Sequence, residues 1–228
     1  MKGRRACTVI AALLTALVLL TGAIAAPILC RPFYYIHIDL LGLEESTGLA
    51  REEITTAFDE MLDYCLGITE EFSTGTLAWS EDGKSHFTDV RTLFLLDLRV
   101  LAVSAVLLAA LLIVTHLKGI RPKRLLGRGP TFWAGAGLGG VFLIVGGLAA
   151  SDFSRAFRIF HLIFFPGKDN WLFDPDTDEI INILPQRYFM DCAILILVIL
   201  ILGCAILIAA DFLLKRSELR KSTDHTTE

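Results

Sequence analysis

The chain has no basic surplus, no paired-cysteine motif and no signature of an activated serine nucleophile. Its 228 residues carry 21 Lys and Arg against 25 Asp and Glu, a net charge of −4. That balance argues against a nucleic-acid partner, because nothing is left over to neutralise phosphates. The five cysteines, Cys7, Cys30, Cys65, Cys192 and Cys204, include no C-x-x-C pair and no metal-ligand spacing. Cys7 borders an apolar block and Cys204 lies inside one, where a thiol acts as a small hydrophobe. Cys30, Cys65 and Cys192 fall on or near the side read below as outer, where a disulfide is allowed but not implied. No G-x-S-x-G elbow occurs. Asp174, Asp176 and Asp178 suggest a calcium loop, but its sixth position is Glu179 instead of Gly and its twelfth is Pro185. No metal and no cofactor is expected.

What is abundant is apolar. Hydrophobic residues make up 54% of the chain and the mean hydropathy is +0.60, too high for an ordinary soluble domain. A membrane-crossing helix needs roughly 20 apolar residues, because the hydrocarbon core is about 30 Å thick and a helix rises about 1.5 Å per residue. Val9 to Leu29 meets this without a charge; Val100 to Val114 is uncharged and is extended by Leu93 to Leu96, past Asp97 and Arg99; Thr131 to Ala150 and Ala193 to Ala210 complete a set of four. Four such blocks leave too little polar surface for buried core helices. The fold class expected is an all-α membrane protein with four transmembrane helices and a small, mainly helical extracytoplasmic cap.

Basic residues give the direction. Lys2, Arg4 and Arg5 precede the first span; Lys118, Arg121, Lys123, Arg124 and Arg128 fill the short second link; Lys215, Arg216, Arg220 and Lys221 follow the fourth span. Both termini are therefore expected in the cytoplasm. The implied division is 1–30 for the N-terminus and first span, 31–92 outside, 93–117 the second span and 118–130 a basic inner loop. It continues with 131–150 the third span, 151–191 outside, 192–214 the fourth span and 215–228 a cytoplasmic tail. The first span competes with a signal peptide, having Ala23, Ala25 and Ala26 near its end. Its length and Pro27 favour an uncleaved anchor. Gly135 and Gly139 in the third span have the small-residue spacing that lets helix backbones approach; packing is the reading preferred over a groove for a lipid chain.

In the first outer segment, Leu49, Ile54, Phe58, Met61, Leu62 and Cys65 recur at helical spacing, with Ser46 or Thr47 as the start cap and Gly67 just past the end. Residues 71–83 read as irregular, and 81–84 as a turn. In the second, Phe153, Phe157, Phe160, His161 and Phe164 share a helical face with Arg155 and Arg158 directed elsewhere, the pattern of an interfacial helix. Pro166 and Gly167 stop it, and Trp171 is an interfacial anchor.

Of five histidines, His225 lies in a polar tail that reads as disordered, His116 at the inner boundary and His37 just after the first span. His86 and His161 sit at the outer ends of spans two and three, which a short link makes neighbours, so their imidazoles are candidates to meet. If Ser85 caps the second helix, His86 occupies its first turn, with Asp89 on the same side to orient a ring. Arg158, one turn before His161, is a candidate to steady a negative oxygen. Two histidines beside an ester suit acyl transfer, one taking a proton and the other polarising or reprotonating. The competing reading is that both are merely hydrogen-bonded residues of a membrane surface.

The order of these features resembles the lipoprotein intramolecular transacylase family of bacterial membrane proteins. The likeness is carried by Tyr64-Cys65-Leu66, by Ser-His-Phe-Thr-Asp-Val at 85–90 and by Phe160-His161-Leu162-Ile163-Phe164-Phe165. It continues through Trp171-Leu172-Phe173-Asp174-Pro175 and Leu184-Pro185-Gln186-Arg187-Tyr188-Phe189. The resemblance implies transfer of the sn-2 acyl chain of a diacylglyceryl-cysteine lipoprotein to that cysteine's own α-amino group, giving an N-acyl lyso-lipoprotein. It implies two essential histidines, which fall on His86 and His161, with His161 favoured as base. Asp89, Arg158, Trp171 and Arg187 are the expected substrate-binding or oxyanion residues. The implied partners are the diacylated lipoprotein N-terminus and membrane lipid, and the implied place is the bacterial plasma membrane with the site outside. Oligomeric state is left open. A membrane ester hydrolase and a non-catalytic subunit or sensor are the alternatives.

Overall fold

A computed structural model describes residues 2–120 and 122–224, with side chains at 3–120 and 122–218. Arg121 and His225 lie outside the described residues, as do the side chains of Lys2, Arg220 and Lys221. The described chain forms nine helices in the order α1 (Lys2–Leu29), α2 (Arg31–Leu40), α3 (Leu43–Thr47), α4 (Arg51–Cys65), α5 (Glu81–Leu117), α6 (Pro130–Ser151), α7 (Phe153–Phe164), α8 (Ile180–Ile183) and α9 (Gln186–Asp224). No strand occurs among the described residues, and four helices are long and apolar enough to cross a membrane: α1, α5, α6 and α9. The tail read as disordered continues α9 as far as Asp224.

The chain divides into two compact units. One comprises Met1–Ala23, Val100–Gly146 and Leu197–Glu228; the other comprises Ile24–Arg99 and Gly147–Ile196.

In the first unit, glycines of α6 serve packing. A Cβ on Gly135 would come within 2.8 Å of the Cys204 carbonyl oxygen, and one on Gly139 within 3.4 Å of the Cys204 side chain. The basic loop before α6 is fastened by Asp211 of α9, which is 1% exposed. Its carboxylate accepts from Arg124 Nη1 at 2.8 Å and from the Gly129 backbone N–H at 2.9 Å. Arg128 lies between the rings of Phe132 and Phe212. Thr8 of α1 donates to the Lys123 carbonyl at 2.7 Å. A cavity of about 640 Å³ opens between the start of α1 and the end of α5, lined by Arg4, Cys7, Leu111 and Thr115 among others, and contains no histidine.

The second unit has a close-packed aromatic core. Tyr34 of α2 stacks on Phe58 of α4 with centroids 3.6 Å apart, and its hydroxyl donates to the Ile183 carbonyl. Ile54, Phe58, Met61, Leu62 and Cys65 of α4 are buried, the face that the 3.6-residue spacing predicts. The start of that helix differs from expectation. Ala50 is the cap residue and Glu53 accepts from its N–H at 2.9 Å, whereas Thr47 belongs to the short α3. The stretch 31–40, which has no helical reading in the sequence, forms α2 with Pro32 in its first turn.

The helix α5 also differs from expectation. Its start is Glu81, not Ser85, so 81–84 is the first helical turn. Ser80 Oγ accepts from the Gly83 N–H at 3.0 Å, and buried Asp178 accepts from both the N–H and the hydroxyl of Ser80. A carboxylate from 98 residues away completes this cap, which local spacing cannot reveal. A Cβ on Gly83 would sit 2.0 Å from Asp178 Oδ1, so any larger residue there would have to displace the capping carboxylate.

Candidate active site

The earlier helix start moves His86 into the second turn of α5, where the dipole of the helix end has largely faded. His161 lies in the last turn of α7, a helix begun by Asp152, whose side chain accepts from the Arg155 N–H at 2.9 Å. The two imidazoles meet. Their centroids are 5.7 Å apart with 28° between the planes, and the residues are 5% and 6% exposed.

The rings are held by aromatic neighbours. His161 lies against Phe157 at 4.4 Å and stacks on Trp171 at 4.5 Å. His86 meets the edges of Phe165 at 4.9 Å and Phe173 at 5.4 Å. Phe165 also packs on His161, so one ring braces both imidazoles.

Hydrogen bonding differs between them. His161 Nδ1 lies 2.8 Å from the Phe157 carbonyl oxygen. A carbonyl only accepts, so Nδ1 carries the hydrogen and the neutral ring presents Nε2 as its lone pair. Burial lowers the pKa of His161 from its ordinary 6.5, against a smaller opposing pull from the Phe157 carbonyl. His86 Nδ1 is buried without a hydrogen-bond partner. Such a pair, one nitrogen fixed as acceptor and one unengaged, is equipped to move a proton at a single reacting group.

The other expected residues are placed differently. Asp89 hydrogen-bonds Lys168 and Asn170 rather than an imidazole. Arg158 is solvent-exposed on α7. Arg187 pairs with Asp191 one turn along α9, and Asp191 also lies 3.4 Å from His37 Nε2. Trp171 is at the site, as the stacking partner of His161. Phe165, Lys168, Asn170 and Phe173 were not expected as site residues. They lie in a non-periodic segment, where only the density of rings hints at a role.

A model of the lipoprotein intramolecular transacylase family Lit matches residues 9–189. The chain belongs to this family. It is thus an enzyme of lipoprotein processing in the bacterial membrane, a transacylase. The fold is similar to that of the membrane integral lipoprotein intramolecular transacylase Lit from Bacillus cereus, with a TM-score of 0.84 and 23% identity, covering 97% of this chain and 98% of that one. Two variants of the same Bacillus cereus protein, with a histidine replaced by arginine or by alanine, match with TM-scores of 0.77 and 22% identity. The arginine variant covers 98% of this chain and 95% of its own; the alanine variant covers 97% and 96%. No curated protein matches the sequence. At these identities the solved structures establish the shared fold, and membership of the family supplies the activity.

Proposed function

We propose that His161 and His86 carry out an O-to-N acyl transfer within a diacylglyceryl-cysteine lipoprotein. An α-amine has an ordinary pKa of about 7.7–8.0, so near neutral pH it is mostly protonated and must lose a proton before it attacks. His161 Nε2 takes that proton. The freed amine attacks the carbonyl carbon of the sn-2 ester and a tetrahedral oxyanion forms. His86, through its unengaged Nδ1 when that atom carries hydrogen, donates to the oxyanion. Collapse breaks the bond between carbonyl carbon and glyceryl oxygen, and His161 returns its proton to that oxygen. The nitrogen, still carrying one proton too many after attack, releases it to the freed His161 Nε2 or to solvent as the amide forms. The products are an amide on the cysteine nitrogen and a free glyceryl hydroxyl. Ester and amine belong to one molecule, so binding replaces a bimolecular encounter by a high effective concentration.

The observation that carries this reading is the pair of buried imidazoles 5.7 Å apart, with His161 Nδ1 committed to a backbone carbonyl. The exposed apolar face of α7, with Leu162, Ile163 and Phe164 at 53%, 65% and 50%, supports placing the site at the bilayer surface beside a lipid substrate. The clustering of basic residues supports cytoplasmic termini and an extracytoplasmic site. So does the joining of α1, the basic loop and α9 through Thr8–Lys123 and Arg124–Asp211. Purified protein and a synthetic diacylated lipopeptide test the chemistry by mass spectrometry. Retained mass with a new amide is expected; release of free fatty acid would instead make the protein a hydrolase.

A further inference from the structure

We infer that Lys168 and Asn170, acting through Asp89, are positioning residues for the transfer, fastening the segment after α7 to the face of α5 beside His86 and so fixing how the two imidazoles meet. This rests on the reading that His86 and His161 perform the chemistry.

The segment 165–173 touches both rings. Phe165 braces the pair, Trp171 stacks on His161 and Phe173 meets the edge of His86. It is nonetheless irregular. Pro166 and Gly167, the latter at φ +73°, turn the chain after α7, and 168–173 forms neither helix nor strand. Its internal backbone bonds, Lys168 N–H to Phe165 and Leu172 N–H to Asp169, shape the turn without attaching it to α5.

Side chains make the attachment. Lys168 Nζ donates to both Asp89 oxygens, at 2.6 and 2.7 Å. Asn170 Nδ2 donates to Asp89 Oδ2 at 3.4 Å and to Ser85 Oγ at 3.3 Å. Ser85 and Asp89 are one helical turn apart, on either side of His86 in sequence. The fastening is therefore made at the stretch of α5 that carries the histidine. The indole of Trp171 donates back to the Lys168 carbonyl at 3.1 Å, which links the fastened lysine to the ring that stacks on His161.

Asn170 adds a second observation. Its Oδ1 is buried without a hydrogen-bond partner, an arrangement that costs stability. The amide is held by its donor side against Ser85 and Asp89, so the residue is better explained by what it fastens than by any gain of its own.

The magnitudes separate this role from a structural one. A half-exposed ion pair adds little to folding, whereas displacing a reacting group by about 1 Å can cost on the order of 10²-fold in rate. Loss of the fastening should reduce kcat without melting the protein.

The test uses full-length protein in lipid, with acyl migration on a diacylated lipopeptide followed by mass spectrometry. Lys168→Met is expected to lower kcat about 10- to 100-fold, with KM unchanged and Tm lowered by no more than about 2–4 °C. Lys168→Arg keeps the cation and is expected to recover most of the rate. A further readout is Trp171 emission in a Trp79→Phe, Trp133→Phe background, where protonation of the stacked imidazole should quench the indole. Lys168→Met should weaken that pH-dependent quenching. Wild-type kcat in Lys168→Met, an Arg variant as slow as the Met variant, or a loss seen in KM alone would overturn the proposal. Failure of the wild-type protein to transfer acyl groups would instead sink the histidine chemistry, so the two outcomes are separable.

Discussion

His37 and the His86–His161 pair are buried in the same unit to nearly the same degree, at 5%, 5% and 6% exposure, yet their nitrogens meet different surroundings. Both nitrogens of His37 face acceptors: Nδ1 lies 2.6 Å from the Phe33 carbonyl oxygen and Nε2 lies 3.4 Å from Asp191, which Arg187 also holds. Its surroundings, Phe33 and Tyr188, are as aromatic as those of the pair. The pair has rings on its flanks but leaves His86 Nδ1 without a partner and His161 Nε2 as a lone pair. Burial and aromatic packing are therefore common to both places. What sets the proposed reactive pair apart from His37 is a ring nitrogen on each imidazole left without a partner.

The comparison breaks most visibly at the histidines themselves. Replacing His86 or His161 by alanine should lower the rate of acyl migration about 10²–10⁴-fold while the protein still inserts and purifies. His37→Ala should leave turnover per folded molecule close to wild type and cost about 1–3 kcal/mol of stability, read as a lower Tm, because Asp191 loses a partner. If His37→Ala abolishes transfer in folded protein, His37 is not merely structural. Gly83→Ala comes next. Its methyl would displace Asp178 from the start of α5, an overpacking cost of about 1–3 kcal/mol that thermal melts would register. Trp171→Ala should slow transfer about 10-fold, the equivalent of an aromatic pair of about 0.5–1.5 kcal/mol, and Trp171→Phe less.

The smallest effect concerns pH. The pKa of folded His161 lies below its ordinary 6.5 because the ring is buried. The base should still be mostly unprotonated at pH 6.5, so the acid limb of kcat/KM, which reports the free enzyme, should have its midpoint below that value. The same shift contributes to stability in a defined window. The folded state binds this proton less tightly than the unfolded chain does. The contribution is complete above pH 6.5 and is lost as pH falls through the folded value. An acid limb centred above 6.5 would place the base elsewhere.

Several features were legible because their physics is local. The four apolar blocks, the buried face of α4, the positive-φ stop at Gly67 and the close approach at Gly135 each depend on residues a few positions apart. His86 and His161 were readable as neighbours because a short link joins α5, which carries His86, to α6, which directly precedes the helix carrying His161. The caps were less legible. α5 begins four residues before Ser85 because Asp178, distant in sequence, completes the turn at Ser80. Arg158 and Arg187 fit an oxyanion role by charge and spacing, but one is exposed on α7 and the other is engaged by Asp191. Lys168 and Asn170 gave no signal, since a segment without periodicity carries none.

Hydrophobic run length and the placement of basic residues suffice for a four-span helical membrane protein, because the cost of exposing polar backbone to hydrocarbon leaves a helix few alternatives. Motif order sufficed for the family. Only the tertiary structure decided which nitrogens are engaged, that one phenylalanine braces both imidazoles, and that Asp89 turns to a lysine instead of a ring. Those outcomes depend on distances between side chains brought together from separate helices, and no spacing along a chain encodes them.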